Sequence, residues 1–413
     1  MNDLSRRGLL TGSSAALAGG AVAAGLALAS TGRPSRTATL DDATTPSSGG
    51  SAVSLAAAAA EVVPFHGAHQ AGIATRHQAF GAFIGLDLAA GTSRADAVRL
   101  VRVLTDDARR LTQGLPALGD TEPELAARPA GLTITVGFGP GFFDVTGTRV
   151  QRPASVRDLP AFAGDKLQPR WGQTDLVTQV CTDDPTTLAH TVRMLTKDQR
   201  AFGTLRWVQR GFASPGATAR GTARNLMGQV DGSVNPTPGT PEFDRAVWAS
   251  GPGWFTGGSV FVLRRIAMHL ETWDAFDRDG KERVMGRRLD TGAPLTGTRE
   301  EDVPDLDAVD GLGFPVIEPL AHIRLAKAAT PAQTMLRRPF SYDEGVNGAG
   351  VPEVGLLFAA FQADADAAFV TVQRRLAGKD LLNTWITHIG SAVYAIAPGV
   401  DEGHYLGQGL LEG

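Results

Sequence analysis

The fold is decided by the stretch Leu176-Val177-Thr178-Gln179-Val180-Cys181-Thr182-Asp183-Asp184-Pro185. Its apolar half predicts a buried strand that ends at Cys181. Asp183-Asp184 before Pro185 is typical of the cap and first position of a helix, which the pattern carries to about residue 197. A further strand is predicted at 204–210. The chain therefore alternates strands and helices over short distances, with turn signals between them.

The residues upstream complete a repeating unit. Apolar residues acquire a pattern near residue 61, with a predicted strand at 79–88, a helix at 94–111 and a strand at 132–138. Together with the elements at 176–210, the order is β-α-β-β-α-β. That order is ferredoxin-like, with an antiparallel sheet covered by helices.

A second set of elements resembles the first. A strand is predicted at 259–270 and a helix at 271–287, although Gly280 weakens that helix. The apolar run 356–364 leads into a helix that ends near residue 376, much as 176–183 leads into its own helix. We predict two related α+β domains, at 61–225 and 226–413. The stretches 213–220 and 291–297 are predicted loops beside a site between the domains.

The N-terminus has the pattern of an export signal. Ser5-Arg6-Arg7-Gly8-Leu9-Leu10 precedes a mildly apolar stretch at 15–29, and Ala27-Leu28-Ala29 offers a cleavage site. The paired arginines resemble a twin-arginine signal, so residues 1–29 predict export by that machinery to the cell envelope, periplasm or medium. A disordered tail and an uncleaved anchor are the alternatives. Residues 30–60 lack large apolar side chains and predict a disordered linker.

Composition and charge exclude several classes of protein and of site. Lys and Arg number 39 against 43 Asp and Glu, so the net charge of −4 offers no basic surface for nucleic acid. The single cysteine, Cys181, excludes an intramolecular disulfide, a cysteine-rich zinc site and a cysteine-ligated iron–sulfur cluster. Its apolar neighbours predict a buried strand thiol.

The eight histidines are candidate ligands, and three of their positions are informative. His66 and His69 have metal-ligand spacing, but few carboxylates and no cysteine lie nearby, which favours a structural or solvent-facing role. His269 alternates with apolar residues, which predicts a packed strand histidine. His322 follows a proline-bounded loop at 314–319, so it is either an anchored metal ligand or a packed histidine.

One glycine-rich segment carries a candidate catalytic carboxylate. It reads Arg224-Asn225-Leu226-Met227-Gly228-Gln229-Val230-Asp231-Gly232-Ser233-Val234-Asn235-Pro236. Gly228 and Gly232 would let the backbone pass close to a planar ligand while Asp231 points into the space above it. Asp-Gly is also a common turn sequence, so a purely structural interpretation stays open for this segment alone.

Several segments together resemble the dye-decolourising peroxidase family, in its exported branch. They are the Gly228-x-x-Asp231-Gly232 signature, Gly67-Ala68-His69-Gln70-Ala71-Gly72-Ile73, Val136-Gly137-Phe138-Gly139-Pro140, Gly286-Arg287-Arg288 before Thr291-Gly292-Ala293-Pro294-Leu295, His322-Ile323-Arg324-Leu325-Ala326, and Leu336-Arg337-Arg338 before Ser341-Tyr342. They occur in the family's order, and the resemblance covers nearly everything from Glu61 to the end. Two positions depart from the family pattern: Ser233, where threonine is frequent, and Pro339-Phe340, where glycine and tyrosine are frequent.

The resemblance implies two ferredoxin-like domains with haem b between them. His322 would bind the iron, and Asp231 and Arg337 would be catalytic on the peroxide side. Arg338 is the alternative to Arg337. Gly228, Gly232 and Arg288 would contact the cofactor, and Asp380 is either the hydrogen-bond partner of His322 or an ordinary exposed aspartate. Because Cys181 is the only cysteine, no Cys-x-x-Cys-His attachment is possible, so the haem would be held without a covalent bond.

The implied activity is reduction of hydrogen peroxide with oxidation of dyes, phenols or other one-electron donors. Bulky donors would be oxidised through surface aromatics, and each candidate is otherwise a core or rim residue: Trp207, Trp254, Trp273, Trp385, Tyr342, Tyr394 and Tyr405. Two other functions stay open. One is a haem-handling protein, either a deferrochelatase or a haem carrier in iron uptake. The other is a cofactor-free binding protein in which the glycine-rich signature is only a turn.

Overall fold

A computed structural model of the protein describes residues 59–214 and 221–413. The predicted export signal at 1–29, the linker up to residue 58 and residues 215–220 of the predicted loop lie outside the described residues. Among the described residues, no helix is both long enough and apolar enough to cross a membrane.

Residues 59–214 contain the first predicted set of elements. The strands are β1 (Phe80–Leu88), β2 (Thr133–Phe138), β3 (Leu176–Thr182) and β4 (Gly203–Phe212), and the helices are α1 (Arg94–Thr112), α2 (Pro140–Val145) and α3 (Pro185–Gln199). Short 3₁₀ turns lie at Pro123–Leu125, Arg149–Gln151 and Pro169–Trp171. The predicted β-α-β-β-α-β order is confirmed, with α2 as an additional short helix.

Local signals explain where the two long helices begin. The side chain of Ser93 accepts a hydrogen bond from the backbone N–H of Asp96, and the carboxylate of Asp96 accepts one from the backbone N–H of Ser93, which is a complete capping box. At α3 the side chain of Asp184 accepts from the backbone N–H of Thr187, and Pro185 occupies the first position, as predicted. Every residue of β3 is buried, which agrees with its uninterrupted apolar run.

Residues 221–413 contain the second set. The strands are β5 (Ala223–Arg224), β6 (Val230–Asp231), β7 (Ser259–Met268), β8 (Leu336–Arg337), β9 (Phe340–Val346), β10 (Pro352–Gln362) and β11 (Ile386–Ile396). The helices are α4 (Pro241–Val247), α5 (Leu270–Asp274), α6 (Arg278–Met285), α7 (His322–Ala326), α8 (Thr371–Leu376) and α9 (Gln408–Leu411). A π-helical turn at Asp366–Val370 leads into α8, and 3₁₀ turns lie at Pro331–Gln333 and Leu381–Thr384.

The predicted single helix at 271–287 is wrong. The chain forms α5 and α6 instead, because the side chain of Asp277 accepts a hydrogen bond from the backbone N–H of Gly280 (2.7 Å) and starts a new helix there. The predicted strand at 259–270 ends at Met268. His269 precedes α5, is exposed and lies with Nε2 2.9 Å from Oγ1 of Thr387, so its prediction as a packed strand residue is also wrong.

The long strands form one antiparallel sheet that closes on itself. Their order is β7-β11-β2-β3-β1-β4-β9-β10-β8, and β7 also pairs with β10. The result is a barrel-like sheet of eight strands, with β8 paired to β10 outside the ring. Within the ring, β4-β1-β3-β2 and β11-β7-β10-β9 are consecutive. The predicted domain boundary at 225/226 falls in the turn of the β5–β6 hairpin and stays a prediction.

The sheet is buried on both faces, so alternate residues of one strand belong to different cores. Phe83 of β1 packs with Phe261 and Phe340 in one cluster, whereas Ala82 and Ile84 pack in the cluster that contains the apolar face of α1. Each fully buried phenylalanine contributes about 1.5–3 kcal/mol. The described cysteine, Cys181, lies in the first cluster, and burial raises the pKa of its thiol to about 12. The prediction of a buried strand thiol is confirmed.

Candidate active site

The short helix α7 presents His322 at its first position. The helix rests on Ile317 and Ala321, which are fully buried. Gly286 ends α6 with φ of +79°, and a Cβ there would collide with the side chain of Ile323. Because glycine tolerates both this backbone conformation and this approach, α6 and α7 can pack closely. His322 therefore stands on a helix whose position is fixed by packing.

The carboxylate of Asp380 fixes the imidazole of His322. Nδ1 of His322 lies 2.6 Å from Oδ2 of Asp380, 58 residues later in the chain. The other carboxylate oxygen accepts from the backbone N–H of Leu382 (2.9 Å), which caps the 3₁₀ turn after it. Asp380 is buried, with 5% exposure, so the alternative of an exposed aspartate is wrong. Both oxygens are held, and the ring of His322 is oriented with its Nε2 directed away from Asp380.

Electrostatics links His322 to the two other charged residues of the site. Burial lowers the pKa of His322, but the charge of Asp380 and its hydrogen bond outweigh burial and raise the pKa above its ordinary value. The charge of Arg337 lowers the same pKa and that of Asp231 raises it. The four side chains therefore share one electrostatic environment, although they come from α7, β6, β8 and the loop before the 3₁₀ turn that follows α8.

Asp231 lies at the end of the short hairpin β5–β6. Its turn is closed by the backbone N–H of Gly228 donating to the carbonyl of Asn225 (2.9 Å), and Gly228 has φ of +79°. The guanidinium of Arg224 donates to the carbonyl of Gly228 (2.8 Å). Gly232, directly after Asp231, has φ of +120°, a conformation that favours glycine. The two signature glycines thus shape the backbone on both sides of the carboxylate.

Arg337 meets Asp231 across the site. Its Nη1 donates to Oδ1 of Asp231 over 3.1 Å, and the two side chains are 23% and 14% exposed. Arg337 belongs to β8, which pairs with β10 through Ala360. The pair is accessible to a small molecule, and its partial burial strengthens the electrostatic interactions of both charges.

A further residue holds this pair, and the sequence interpretation did not assign it a role. The side-chain amide of Asn235 donates to the backbone carbonyl of Arg337 (2.7 Å) and accepts from its backbone N–H (3.0 Å). The backbone N–H of Asn235 donates to the carbonyl of Gly232 (2.9 Å). Asn235 stands in the glycine-rich segment, but its partner lies 102 residues away. The local sequence shows a turn asparagine and no sign of that partner.

Arg338 points elsewhere and is not an alternative for the contact with Asp231. Its guanidinium donates to the backbone carbonyls of Thr75 and Arg76 and to Oε1 of Gln78, the last at 2.6 Å. It is 4% exposed. Because neighbouring residues of a strand face opposite sides, Arg337 reaches the site while Arg338 anchors the segment before β1.

The remaining sequence-predicted residues lie around this centre. Arg288 is exposed, follows Gly286 by two residues, and its backbone N–H donates to the carbonyl of Ala293 (2.8 Å). Among the described residues, its guanidinium has no hydrogen-bond or ion-pair partner. Gly228 approaches Leu289, next to Arg288, since a Cβ on Gly228 would lie 3.5 Å from that side chain. Arg288 and the glycine-rich turn are therefore neighbours.

His66 and His69 have structural contacts, as predicted. Nδ1 of His66 lies 3.1 Å from the carbonyl of Val400, and Nδ1 of His69 lies 2.7 Å from that of Gly257. The ring of His69 also stacks on Trp248, with 3.7 Å between centroids. The two histidines tie the segment before β1 to later parts of the chain.

The aromatic candidates for surface oxidation differ in exposure. Most of them are buried core residues: Trp207, Trp273, Tyr342, Tyr394 and Tyr405, all at 5% exposure or less. Trp254 and Trp385 are half-buried. The alternative of core packing therefore holds for the five buried residues, and two tryptophans remain at the surface.

The residues around His322 and Asp231 fit a haem. Within the described residues, Nε2 of His322 makes no hydrogen bond, so it can bind a metal while Asp380 holds Nδ1. Nε2 of Gln229 and Oγ of Ser233, on either side of Asp231, are buried without a partner among the described residues. A buried polar atom left without a partner costs about 1–3 kcal/mol. These two atoms are therefore suited to hydrogen-bond a ligand that binds beside Asp231.

Comparison with known proteins identifies the family. Residues 70–213 match the description "Dyp-type peroxidase, N-terminal", and residues 222–401 match "Dyp-type peroxidase, C-terminal". The chain belongs to the Dyp-type peroxidase family. It is 41% identical over 363 residues to the dye-decolorizing peroxidase of Thermobifida fusca, covering 84% of each chain. It is 36% identical over 373 residues to a deferrochelatase of Yersinia pestis, covering 84% of this chain and 85% of that protein.

Solved structures agree with this assignment. The DyP-type peroxidase from Cellulomonas bogoriensis is 51% identical, with a TM-score of 0.83 over 86% of this chain and 99% of that one. DtpA from Streptomyces lividans, solved as an oxyferrous complex, is 43% identical with a TM-score of 0.83 over 86% and 99%. This Dyp-type peroxidase is therefore a haem enzyme that reduces hydrogen peroxide at the expense of an organic electron donor.

Proposed function

We propose that this Dyp-type peroxidase holds haem b without a covalent bond through Nε2 of His322, with Asp231 and Arg337 on the peroxide side. The observation that carries the proposal is the 2.6 Å contact between His322 and Asp380, which orients the free nitrogen of a half-buried imidazole. Steady-state turnover of hydrogen peroxide with a phenol by the haem-loaded enzyme tests the function as a whole. An enzyme that binds haem but does not consume peroxide would contradict it.

Haem, when bound, supplies the redox-active iron at which the O–O bond of peroxide is broken. Asp380 accepts a hydrogen bond from Nδ1–H of His322, which makes the imidazole a stronger electron donor at Nε2. Because the second oxygen of Asp380 is occupied by the backbone N–H of Leu382, the carboxylate cannot rotate away from the ring. Orientation and charge of the ligand are therefore both set by one carboxylate.

Asp231 is proposed to move the proton. Its carboxylate can accept a proton from one peroxide oxygen and return it to the other, directly or through a water, which turns that oxygen into a better leaving group. Gly228 and Gly232 carry no side chain that would fill the space beside this carboxylate. A single small carboxylate suffices because both oxygens of peroxide lie within one bond length of each other.

Arg337 is proposed to stabilise negative charge. Its guanidinium places a positive charge beside Asp231, which favours the deprotonated peroxide and the departing hydroxide. The ion pair with Asp231 also keeps that carboxylate in place before peroxide arrives. Asp231 is therefore proposed to transfer the proton, and Arg337 to supply a positive charge.

The two ferredoxin-like domains of the family are proposed at 61–225 and 226–413. The strand orders β4-β1-β3-β2 and β11-β7-β10-β9 support this, since both have the first and third strands of the unit at the centre. All four proposed site residues, Asp231, His322, Arg337 and Asp380, come from the second segment. We place the haem against that C-terminal domain, at the side facing its partner. Gly228, Gly232 and Arg288 would line it there.

Export by the twin-arginine machinery is proposed from Arg6 and Arg7. That route carries folded proteins, which suits an enzyme that takes up its cofactor before crossing a membrane. Replacing both arginines by lysine tests it, because the pathway recognises the guanidinium pair. The double variant is expected to accumulate in the cytoplasm; unimpaired export would show that another route is used.

Iron release from haem is the alternative activity. The 36% identity to a Yersinia pestis deferrochelatase favours it as a second candidate. Deferrochelation leaves an intact, metal-free porphyrin. This porphyrin fluoresces, whereas haem does not. Porphyrin fluorescence that rises with enzyme and not with peroxide turnover would support that role, whereas peroxide-dependent phenol oxidation without porphyrin release supports the peroxidase.

A further inference from the structure

A cavity of about 640 Å³ lies beside α6 on the side of the molecule that carries His322. Its wall combines two aromatic rings, Phe276 and Trp385, with the side chains of Arg283 and Glu318. This volume falls within the range of about 300–1,000 Å³ of small-molecule sites, which also combine apolar walls with a few polar groups. A role for this cavity in binding the electron donor rests on the proposed peroxidase function.

The aromatic wall is preorganised. Phe276 and Trp385 stack with 5.0 Å between centroids and 28° between planes, and Trp385 meets Trp273 edge to face at 5.2 Å. Trp273 is fully buried and its Nε1 donates to the backbone carbonyl of Met227 (3.1 Å). Trp385 is thus held by two aromatic neighbours and lines the cavity together with Phe276, so another planar ring can pack against this aromatic wall.

The polar groups of the wall have unused capacity. Within the described residues, the guanidinium of Arg283 and the carboxylate of Glu318 have no side-chain partner, although both line the cavity. Arg278, on the same wall, is occupied by Glu282 (3.1 Å). Asp279, on the same wall, is a further exposed carboxylate without a side-chain partner among the described residues. A free guanidinium donor and free carboxylate acceptors beside an aromatic wall match a ring that carries a hydroxyl group and a second oxygen.

Two residues that line the cavity are close in sequence to the proposed iron ligand and its partner. Leu381, which lines it, directly follows Asp380, the partner of His322. Glu318 lies four residues before His322, and its backbone carbonyl accepts from the N–H of Ala321 (3.0 Å). Trp273, which packs against the lining residue Trp385, donates to the carbonyl of Met227 in the glycine-rich turn that carries Asp231. A donor in the cavity would lie beside both halves of the active site without entering it.

We infer that this cavity is the binding site for planar phenolic electron donors, with the ring stacked on Trp385 and the hydroxyl held by Glu318 and Arg283. The phenol O–H bond breaks, one electron goes to the peroxide-oxidised enzyme and one proton goes to solvent. Overall, two phenols supply two electrons and two protons and become two phenoxyl radicals, and one hydrogen peroxide takes up those electrons and protons and becomes two waters. The site keeps the donor apart from the peroxide, so the two substrates do not compete.

Binding of guaiacol to the haem-loaded enzyme, measured by equilibrium dialysis without peroxide, tests the inference. Thr384→Trp fills the cavity from an exposed wall position without removing a contact, and Trp385→Ala removes the stacking surface. Arg128→Ala, at an exposed arginine of the N-terminal half without a side-chain partner among the described residues, is the matched control. Affinity for guaiacol is expected to fall about two- to tenfold in Trp385→Ala, the size of an aromatic contact, and further in Thr384→Trp.

Two outcomes overturn the inference: no guaiacol bound by the wild type, or equal binding by wild type and Thr384→Trp. The rate at which peroxide changes the haem spectrum in the absence of donor is expected to be the same in all four proteins. If the wild type binds haem but does not react with peroxide, the proposed function fails, whatever the dialysis shows. If peroxide reacts normally while guaiacol binding ignores the cavity, only the donor site fails.

Discussion

Asn235 holds Arg337 by both backbone groups of the arginine, as a paired strand would. The two hydrogen bonds, 2.7 and 3.0 Å long, join residues 102 positions apart. Because Asn235 belongs to the same turn as Gly232, the amide ties the segment that carries Asp231 to the strand that carries Arg337. The 3.1 Å contact between Asp231 and Arg337 is therefore set by a third side chain that need not touch any substrate.

Asn235→Ala is expected to slow the reaction with peroxide about tenfold while haem content stays unchanged. Each lost hydrogen bond is worth about 0.5–1.5 kcal/mol of positioning, and a tenfold rate change corresponds to about 1.4 kcal/mol. Asn235→Asp keeps the acceptor for the N–H of Arg337 and loses the donor, so an intermediate rate is expected. Stopped-flow absorbance over a range of peroxide concentrations measures both.

Asn347, an exposed turn residue whose amide oxygen accepts from its own turn, provides the control. Asn347→Ala should react as the wild type does. Equal rates for Asn235→Ala and Asn347→Ala would show that the Arg337 backbone needs no such support.

Asp231→Asn and Arg337→Leu separate proton transfer from charge stabilisation. Loss of a general acid–base group is expected to slow the reaction with peroxide by ~10²–10⁴-fold. Loss of one electrostatic donor commonly costs ~10²–10³-fold. Both variants should keep haem, because neither side chain is proposed to bind the iron. If Asp231→Asn reacts at the wild-type rate while Arg337→Leu is crippled, the aspartate is a structural turn residue.

Asp380→Asn tests the orientation of His322. The asparagine oxygen can still accept from the N–H of Leu382, but its NH₂ group then faces the Nδ1–H of His322, donor against donor. Removal of such a partner typically costs about 10–100-fold in metal affinity. Transfer of haem to apomyoglobin measures the loss. A transfer rate equal to that of the wild type would mean that packing alone orients the ring.

A pair of carboxylates away from the site, the buried Asp107 and the half-buried Asp198, predicts a pH effect on stability. Burial and a hydrogen bond with Asp107 raise the pKa of Asp198 to about 7 from its ordinary value of 3.8. The folded state therefore binds a proton that the unfolded state releases between those values. This contribution to stability is fully present below about pH 4 and is lost as the pH rises through about 7.

Asp198→Asn should raise the melting temperature at pH 8 and change it little at pH 4, because the amide mimics the protonated acid. Thermal unfolding followed by circular dichroism at several pH values provides the test. Asp279→Asn, at an exposed aspartate without a side-chain partner among the described residues, should show no such pH dependence. A stabilisation by Asp198→Asn that is the same at both pH values would rule out the shared proton.

The order of strands and helices was accessible from sequence because its signals are local. The cap at Asp184 and the apolar run of β3 lie within ten residues of each other, and both are confirmed. The prediction of one helix at 271–287 was wrong for a local reason as well. Asp277 acts as a cap inside the apolar pattern and starts a second helix there. Closure of the sheet through β7 and β10 could not be predicted, because it depends on pairing across about a hundred residues.

Within the candidate site, too, local features could be predicted from the sequence and long-range contacts could not. The glycine-rich turn around Asp231 is a local pattern, whereas the contacts of His322 with Asp380 and of Arg337 with Asn235 join distant segments. A resemblance to a family pointed to the first of these contacts, and nothing in the sequence pointed to the second. The choice between Arg337 and Arg338 needed the strand, which turns one side chain to the site and the other away from it.

The central claim is that His322 binds the haem iron. The most direct measurement is the Soret absorbance of His322→Ala produced with haem available, normalised to protein, with His269→Ala at an exposed histidine as the control. We expect His322→Ala to lose most of its haem and to shift the band of what remains, since Cys181 is buried and cannot replace the ligand. Normal haem content with an unshifted Soret band would contradict the assignment.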